Sequence, residues 1–550
     1  MADYLPPRES WPTRIYTLPE FASYPDRFNP TEELLDKAVG AGRGDRTALL
    51  FEDQRITYAQ LLGQANKLGN ALRELGVSEG DRVLLRSPTI PPAIATNFAV
   101  LKLGAVITPI SPLFSRAEIA HVANDSEAVA IVVHFALLGE VEAARENLKT
   151  VRHIIAVGGD AAELKAKGFL PYGELMQSGG PGLAPVRRRR EDLGVLLYTS
   201  GTTGRPKGTA HLVEETLIVP DTFGKHGWKV TEDDIIGGSA PLAFGAGYST
   251  FTTIPMRFGA AASLIAKFEP DKMFETIQKH RITVLSLAPT AYRKMLQLPD
   301  AEKKYDLKSL RVCTGGGESL TAPTYHAWKE KFGQEIFEGL GTTEMMYVFV
   351  SNVVKRRVKP GSFGTAVPGF EVKVVNETGK DSAPKEIGHF LVRGPTGTLY
   401  WRDSDKQRQA VTPDGWNRAG DYVYVDEDGY FWFVSREDDI IKSSAYRIGP
   451  EEIEVTLAKH PAVADVGVIG VPDEVRGQIA KAYVVLLPDK TVTPEELLEF
   501  CRGKIATYKL PREIVFVNDL PRTPTGKLLR RVLRQKEPQG SPSARPVGSA

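Results

Sequence analysis

The residue types suited to chemistry are concentrated in YTSGTTGRPKG, the segment from Tyr198 to Gly208. Its glycines allow the backbone to approach oxygen atoms closely, its hydroxyl and backbone N–H groups are donors, and Lys207 adds a positive charge. The apolar run LGVLLYTS is typical of a buried strand, and we predict that a helix begins in HLVEETLIV. A strand, a glycine-rich loop and a helix together favour a polyphosphate site, and an ordinary flexible turn is the alternative.

The glycine-rich segment differs from the GxxxxGK[ST] loop of many ATPases and kinases. Pro206 stands where that pattern has its second glycine, and Gly208 follows the lysine. This difference excludes the usual kinase and ATPase explanation of such a loop.

Bulk composition is that of an ordinary soluble protein. The 550 residues are 42% hydrophobic and 25% charged, and 69 basic against 68 acidic residues give a net charge of +1. This balance predicts no nucleic-acid partner. Cys313 and Cys501 lie too far apart for a metal-ligand pair, and no apolar run approaches the roughly 18 residues of a membrane span. We therefore expect a cytoplasmic protein of two or more domains.

Helical and strand patterns alternate from about residue 45 to 160. Apolar side chains at helical spacing predict a helix, and DRVLLRS, AIATNFAVLKLG and AVITPI predict a strand, a helix and a strand. This alternation indicates an α/β protein with helices packed on parallel sheets. The predicted helical face consists of Leu61, Ala65, Leu68, Leu72 and Leu75. The basic run VRRRRED is interpreted as a solvated linker, with a phosphate-binding patch as the alternative.

The residue composition changes near residue 435, where the strand-like DGYFWFV is followed by polar, turn-rich sequence. Beyond it, ADVGVIGV and AKAYVVLL predict strands, and Thr493 with Pro494 predicts a helix start. We predict a large N-terminal domain of helix-packed sheets at 1–437, a small mobile α+β domain at 438–536 and a disordered tail at 537–550.

Six motifs occur in an order that resembles the acyl-adenylate-forming superfamily, and the resemblance covers nearly all of the chain. They are YTSGTTGRPKG, GLGTTEM, GDYVYVDEDGY, SREDDIIK, YRIGPEEIE and PRTPTGKLLR. The segments EGLGTTEMMYVFVSN and GTLYW are most similar to those of benzoate and 2-aminobenzoate CoA ligases. Within this superfamily, the resemblance therefore implies an aromatic acid–CoA ligase.

The resemblance implies a two-step reaction of a small carboxylic acid, ATP with Mg²⁺, and coenzyme A. The carboxylate attacks the α-phosphate to give acyl-AMP and pyrophosphate, and the thiol of coenzyme A then displaces AMP. Joining the acid to AMP supplies a leaving group, but two anions must first meet. At about 4 Å and an effective dielectric near 20, two unit charges repel by about 4 kcal/mol. The site therefore needs cations and fixed donors.

Nucleotide roles follow from motif position within the resemblance. Thr343 would bind the α-phosphate, Glu344 would hold Mg²⁺, and Lys527 would bridge the carboxylate and the α-phosphate. Asp421 and Arg436 would contact the ribose. The alternatives are a turn cap for Asp421, a surface ion pair for Glu344, and a basic patch with neighbouring arginines for Lys527. The other implied nucleotide-site residues are Lys207, Thr199, Ser200, Gly201, Thr202, Thr203, Gly204, Gly316, Gly317, Glu318, Gly339, Leu340, Gly341 and Thr342.

The resemblance also implies a hinge at Asp438, about which the small domain rotates between the two steps. The coenzyme A channel would then be lined by Lys442, Ser443, Ser444, Ala445 and Tyr446. Ala445 replaces a glycine common in the family, so its methyl group would narrow the channel. Leu340 and Ser435 also depart from the pattern, replacing a tyrosine and a glycine.

The acid pocket is implied by the segment APLAFGAGYST. Phe244 stands where many relatives have histidine, and simple core packing is its alternative role. The residues beside Phe244 are expected to leave space for the acid. The predicted pocket residues are Phe244, Gly245, Ala246, Gly247, Tyr248 and Gly315.

Three other functions stay open. A medium-chain fatty acyl-CoA synthetase would need an extended apolar tunnel, and an adenylating enzyme that loads a carrier-protein thiol would need a docking surface. A non-catalytic nucleotide-binding protein would not need Lys527.

Overall fold

The computed structural model describes residues 4–200, 205–353, 357–444, 446–522 and 528–537, without the side chains of Ser200 and Arg447. It divides into two compact units. The first unit is Met1–Glu371 with Val392–Asn417, and the second unit is Val372–Leu391 with Arg418–Ala550. Residues 437 and 438, the predicted domain boundary, both lie in the second unit. The predicted tail lies outside the described residues from residue 538 onward.

The strands are β1 (Arg27–Phe28), β2 (Thr47–Phe51), β3 (Gln54–Thr57), β4 (Arg82–Arg86), β5 (Val106–Pro109), β6 (Ala128–His134), β7 (His153–Val157), β8 (Leu170–Pro171), β9 (Arg188–Arg189), β10 (Leu193–Ser200), β11 (Pro206–Leu212), β12 (Ile235–Gly238), β13 (Ala261–Leu264), β14 (Val284–Leu287), β15 (Val312–Gly315), β16 (Ile336–Gly341), β17 (Val348–Ser351), β18 (Thr365–Ala366), β19 (Glu371–Val375), β20 (Gly388–Arg393), β21 (Asn417–Val425), β22 (Phe431–Arg436), β23 (Ile441–Ser443), β24 (Tyr446–Ile448), β25 (Val463–Asp473), β26 (Gly477–Leu486) and β27 (Glu513–Phe516).

The helices are α1 (Tyr58–Glu74), α2 (Pro91–Lys102), α3 (Arg116–Asp125), α4 (Leu138–Ala144), α5 (Ala161–Ala166), α6 (Tyr172–Ser178), α7 (Glu215–Val219), α8 (Gly245–Tyr248), α9 (Ile254–Phe258), α10 (Pro270–His280), α11 (Pro289–Leu296), α12 (Ala301–Lys304), α13 (Ala322–Phe332), α14 (Ser404–Ala410), α15 (Pro450–Leu457), α16 (Pro494–Cys501) and α17 (Arg530–Lys536). Short 3-10 or π-helical segments are Arg8–Ser10, Pro19–Ser23, Glu32–Asp36, Val39–Arg43, Phe135–Leu137, Arg145–Asn147, Pro220–Trp228, Ser249–Thr253 and Thr507–Lys509.

Two large sheets form the first unit. The seven-stranded sheet has the order β11-β10-β5-β4-β6-β7-β8, and the nine-stranded sheet has the order β18-β17-β16-β15-β14-β12-β13-β2-β3. Pairing is parallel from β10 through β5, β4, β6 and β7 to β8, and from β16 to β2 in the larger sheet. The predicted α/β class is confirmed.

Helix α1 illustrates how the sequence directs this packing. A capping box of Thr57 and Gln60 starts the helix, and its predicted apolar face is buried against α2 from Leu61 to Leu72. The strands β4 and β5 and helix α2 also form where the alternating pattern predicts them.

Two local interpretations differ from the structure. A helix does begin within HLVEETLIV, at Glu215, but the glycine-rich loop leads first from β10 into the antiparallel strand β11 and not directly into that helix. The basic run is not simply a solvated linker, because Arg188 is buried and bonds to Asp192 and the Gly104 carbonyl. Strand pairing and long-range contacts override the local patterns at both places.

The second unit is a smaller α+β assembly. Its five-stranded sheet has the order β24-β23-β26-β25, with β27 added in parallel beside β26. The two long strands β25 and β26 pair antiparallel over most of their length. The predicted start of α16 is confirmed, because Thr493 and Glu496 form a capping box. The strands β19-β20-β21-β22 form a further four-stranded sheet.

Both cysteines are buried, Cys313 in β15 and Cys501 at the end of α16. Burial raises the pKa of Cys313 to about 12 and also raises that of Cys501. Among the described helices, none is long and apolar enough to cross a membrane.

A buried ion cluster ties the N-terminal segment to the helix that follows β11. The Arg14 guanidinium lies 2.6 Å from Glu215 and 3.3 Å from Glu214, and both carboxylates are completely buried. Glu215 also accepts from His211, and Glu214 pairs with Arg190 at 2.6 Å. Buried carboxylates need such partners, because removal from water penalises their charge.

We predict that Arg14→Ala lowers the stability of the first unit by about 3 kcal/mol or more, because breaking a buried ion pair leaves an uncompensated buried charge. Thermal and urea unfolding measure the loss. The control is Arg8→Ala, which removes an exposed pair with Glu191 and should cost less than about 1 kcal/mol. Equal stability of the two variants would contradict the assignment.

Candidate functional site

Thr343 and Glu344 lie at the tip of a hairpin in the first unit. Strand β16 ends at Gly341, and its partner β17 runs back antiparallel from Val348. The connecting turn is closed by a hydrogen bond of 2.9 Å from the Met346 amide to the Thr343 carbonyl. The hairpin tip continues from the carboxyl end of β16, which pairs in parallel with β15. Ligands of open α/β sheets bind at such an edge.

The Glu344 carboxylate is half-buried at this hairpin tip. Its one hydrogen bond among the described residues is from the Tyr400 hydroxyl at 2.9 Å, and no described lysine or arginine forms an ion pair with it. No group of three potential metal-ligating side chains is found in the described part of the chain. A lone carboxylate suits a hard cation such as Mg²⁺, which takes one or two carboxylates and completes its shell with water and phosphate oxygens.

The segment GTLYW connects the Glu344 turn to the strand after the glycine-rich loop. The Ala210 amide donates to the Leu399 carbonyl at 2.8 Å, and the Trp401 amide donates to the Gly208 carbonyl at 2.9 Å. Thr396, which directly precedes the segment, donates its hydroxyl to the Met345 carbonyl at 3.1 Å. One short segment therefore fixes two motifs that are far apart in sequence.

The described base of the glycine-rich loop is a hairpin. Lys207 lies opposite Thr199, and Ser200 lies opposite Pro206. The Tyr198 hydroxyl donates to Asp125 at 2.6 Å, which anchors the hairpin on α3. The predicted site residues Gly201, Thr202, Thr203, Gly204, Ala445 and Lys527 lie outside the described residues.

The predicted acid-pocket segment packs against the Glu344 turn. Phe244 is half-buried and precedes α8, and Ala246 is exposed. A Cβ atom on Gly245 would lie 2.1 Å from the Met346 carbonyl oxygen, and one on Gly247 would lie 2.1 Å from that of Pro241. Both glycines are therefore needed for close backbone packing, and the expectation that they leave space for an acid beside Phe244 stays a prediction.

The interior beside this contact is aromatic. Phe223 packs against Trp228 and Tyr347 with centroids 5.3 and 5.2 Å apart, and all three rings are buried. The Tyr347 hydroxyl lies 3.1 Å from that of Thr250. The predicted pocket residue Tyr248 is fully buried, and burial raises its pKa. No local sequence pattern predicts this cluster, since its members come from two distant segments.

Glycines form close backbone contacts at the ends of β15 and β16. A Cβ atom on Gly316 would lie 3.3 Å from the Gly339 carbonyl, and one on Gly341 would lie 2.3 Å from that of Tyr347. Gly317 has a φ of +87°, and Gly315 ends β15.

Three other predicted nucleotide-site residues lie near these glycines. The Glu318 carboxylate accepts from the Thr290 amide at 2.5 Å, at the start of α11. Leu340 is half-buried on β16, and the Thr342 hydroxyl accepts from the Met345 amide. Glu318 therefore supports a helix terminus.

The second unit holds the predicted ribose residues side by side. Asp421 on β21 lies opposite Arg436 on β22, and the guanidinium donates to the buried carboxylate at 2.8 Å. The Ser435 hydroxyl donates to the Arg436 carbonyl. The Arg436 side chain keeps about half of its surface exposed beside this buried carboxylate.

Asp438 is exposed in the turn that follows β22. Its neighbours are tied within the second unit, since His389 pairs with Glu437 at 2.6 Å and Arg534 pairs with Asp439 at 2.6 Å. The flanking ion pairs leave Asp438 between two fixed residues.

The predicted channel residues lie on the hairpin of β23 and β24. Lys442 is exposed, Ser443 is buried, and Ser444 has a φ of +52° in the turn. The Tyr446 ring stacks on Tyr508 with centroids 4.1 Å apart.

Two family models match the chain. The model of the AMP-binding enzyme matches residues 35–401, and that of the AMP-binding enzyme C-terminal domain matches residues 452–527.

Curated relatives and solved structures match over nearly full length. The chain is 32% identical to an acetyl-coenzyme A synthetase of Bacillus subtilis (strain 168), covering 93% of the chain and 91% of that protein. It is 31% identical to a benzoate–CoA ligase of Thauera aromatica, covering 94% and 97%. The crystal structure of the anthranilate CoA ligase AuaEII with anthranoyl-AMP is 34% identical, with a TM-score of 0.85 and coverage of 94% and 98%.

We predict a pH-dependent contribution of the His389–Glu437 pair to stability. The hydrogen bond to Glu437 raises the pKa of His389 above its ordinary value of about 6.5, against the opposing effect of burial. The contribution is therefore complete below about pH 6.5 and is lost as the pH rises through the folded-state pKa.

Melting temperatures of the wild type and His389→Gln from pH 6 to 9 test this expectation. The difference should be largest at pH 6 and shrink as the pH rises. His326→Gln, on an exposed helical position, is the control for replacing a surface histidine. A His389→Gln difference that grows with pH would contradict the sign.

Proposed function

The chain belongs to the AMP-binding enzyme family and is an acid–CoA ligase, and we propose that its acid is an aromatic carboxylate of the benzoate or 2-aminobenzoate type. The contact that carries this proposal is the approach of Gly245 to the Met346 carbonyl. It brings the predicted pocket segment directly against the turn that holds Glu344.

This contact favours a short pocket over a tunnel. The space beside it is filled by the buried rings of Phe223, Trp228 and Tyr347, where an extended alkyl chain would need room. A flat aromatic acid placed beside Phe244 would pack against its ring and would need only a shallow pocket. The names of two similar proteins, a benzoate–CoA ligase and an anthranilate CoA ligase, support the same acid class.

In the first step, the acid carboxylate attacks the α-phosphate of ATP, an oxygen–phosphorus bond forms, and pyrophosphate leaves. Lys207 and the hydroxyl-rich loop would hold the β- and γ-phosphates, and Thr343 would donate to the α-phosphate. Asp421 and Arg436 would hold the ribose hydroxyls. These groups orient the reactants and offset the charge that develops on phosphate oxygens.

Glu344 would hold Mg²⁺, because its one described hydrogen-bond partner is a neutral hydroxyl and no described lysine or arginine forms an ion pair with it. When bound, that ion would neutralise phosphate oxygens. Lys527 would supply the cation between the carboxylate and the α-phosphate, which are two anions.

In the second step, the thiol of coenzyme A attacks the acyl carbonyl and AMP leaves. Residues 442–446 would line the approach of the thiol after a rotation about Asp438 in which the predicted domain 438–536 moves. The exposed Tyr446–Tyr508 stack offers an apolar surface for the pantetheine arm.

We predict that pyrophosphate release is fastest with an aromatic acid. In a panel of benzoate, 2-aminobenzoate, octanoate and acetate, kcat/KM for one aryl acid should exceed that for octanoate by at least about 10-fold, as expected for a pocket that excludes a poorly fitting chain. Parallel reactions with and without coenzyme A are analysed by mass spectrometry for the thioester product. Higher efficiency on octanoate would favour the medium-chain alternative, and adenylation without any thioester would favour a carrier-protein acceptor.

We predict that Lys527→Ala abolishes acid-dependent exchange between ATP and pyrophosphate but largely spares thioester formation from supplied acyl-AMP. The reason is that the lysine charge is needed only while two anions are brought together. Lys536→Ala, an exposed change on the neighbouring helix α17, is the control for loss of local charge. Equal loss of both steps in Lys527→Ala would remove its assigned role.

A further inference from the structure

Tyr400 is held more firmly than a surface tyrosine. Its backbone N–H donates to the Gln407 side-chain carbonyl at 2.9 Å, and that fully buried amide donates in turn to the Ser10 and Thr398 carbonyls at 2.9 Å. The residue also pairs with Thr209 in the strand after the glycine-rich loop. With 7% of its surface exposed, Tyr400 has a fixed backbone and a largely buried ring.

The hydroxyl of this fixed ring points at Glu344. It donates to one carboxylate oxygen at 2.9 Å, across 56 positions of sequence. The carboxylate itself sits on a turn whose fourth residue, Met346, has a strained φ of +66°. A flexible acidic side chain on such a turn needs an external contact to hold one orientation.

The Tyr400 hydroxyl is also a suitable donor beside a metal site because it carries no positive charge. A lysine or arginine in this position would neutralise the carboxylate and compete with a cation. A phenol is neutral at pH 7, so it orients one oxygen and leaves the negative charge in place.

We propose that Tyr400 is a positioning residue that orients the Glu344 carboxylate for the divalent cation of MgATP, an inference that rests on the proposed function. Hydrogen-bond partners of metal ligands fix the ligand geometry, and their removal typically costs about 10- to 100-fold in metal affinity or activity. In the sequence, Tyr400 stands out only as part of the GTLYW resemblance, which assigns it no role.

The test measures how much Mg²⁺ strengthens ATP binding. The affinity for ATP is determined by calorimetry without any acid, once in excess Mg²⁺ and once in EDTA, and the ratio of the two affinities is the Mg²⁺ enhancement. We expect Tyr400→Phe to reduce this ratio by about 10-fold while the affinity in EDTA stays within about 2-fold. A residue that only supports the fold would weaken both affinities alike.

Tyr24→Phe is the matched control. Tyr24 has the same exposed fraction of 7%, and its hydroxyl also donates to a carboxylate, that of Asp221 at 2.7 Å. Because Asp221 is paired bidentately with Arg257, this contact belongs to a structural ion pair. The Mg²⁺ enhancement of Tyr24→Phe should equal that of the wild type.

Two further variants separate the possible failures. Glu344→Gln should abolish the enhancement. If it does and Tyr400→Phe leaves the enhancement unchanged, the role of Tyr400 is overturned and the proposed function stands. An unchanged enhancement in Glu344→Gln overturns the metal assignment and the inference with it.

Gln407→Met releases the backbone of Tyr400 but keeps the phenol, and it should lower the enhancement by a smaller factor even if Tyr400→Phe does not fold. An unchanged enhancement in Gln407→Met would then count against Tyr400.

Discussion

The proposed site depends on one carboxylate that no described lysine or arginine neutralises. Glu344 is half-buried and is paired among the described residues only with a neutral phenol. An unpaired charge costs free energy, so the surrounding structure must hold it in place. The hairpin of β16 and β17, the turn at Met346 and the GTLYW segment all serve this one requirement.

Backbone contacts supply most of the rigidity that this requires. Gly245 and Gly341 bring three backbone segments within the distance at which a single methyl group would collide. The GTLYW segment adds main-chain hydrogen bonds to β11. Since main chain has fewer degrees of freedom than side chains, groups mounted on it keep their geometry when a ligand arrives.

Local patterns predicted the elements whose stability is itself local. Helix α1 follows from its apolar spacing and capping box, and α16 follows from Thr493 and Pro494. The strand β11 was missed, because its pairing with β10 decides the conformation and a helix signal in HLVEETLIV cannot report that pairing. The same limit applies to Arg188, whose acceptor at Gly104 is 84 residues away.

The candidate site divides in a similar way. Motif order predicts Glu344, Asp421 and Arg436 as site residues, and the structure places the last two in direct contact. The sequence carried no sign of the Tyr400–Glu344 bond or of the aromatic cluster around Tyr347, because these contacts depend on how distant segments fold together.

The burial of both cysteines has a practical consequence for kinetic work on this enzyme. Cys313 and Cys501 are the whole cysteine content of the chain, and both thiols are shielded with raised pKa values. Colorimetric thiol reagents react with a sulfur atom that is both accessible and ionised. Consumption of the free coenzyme A sulfhydryl can therefore be followed continuously, with little background from the folded protein.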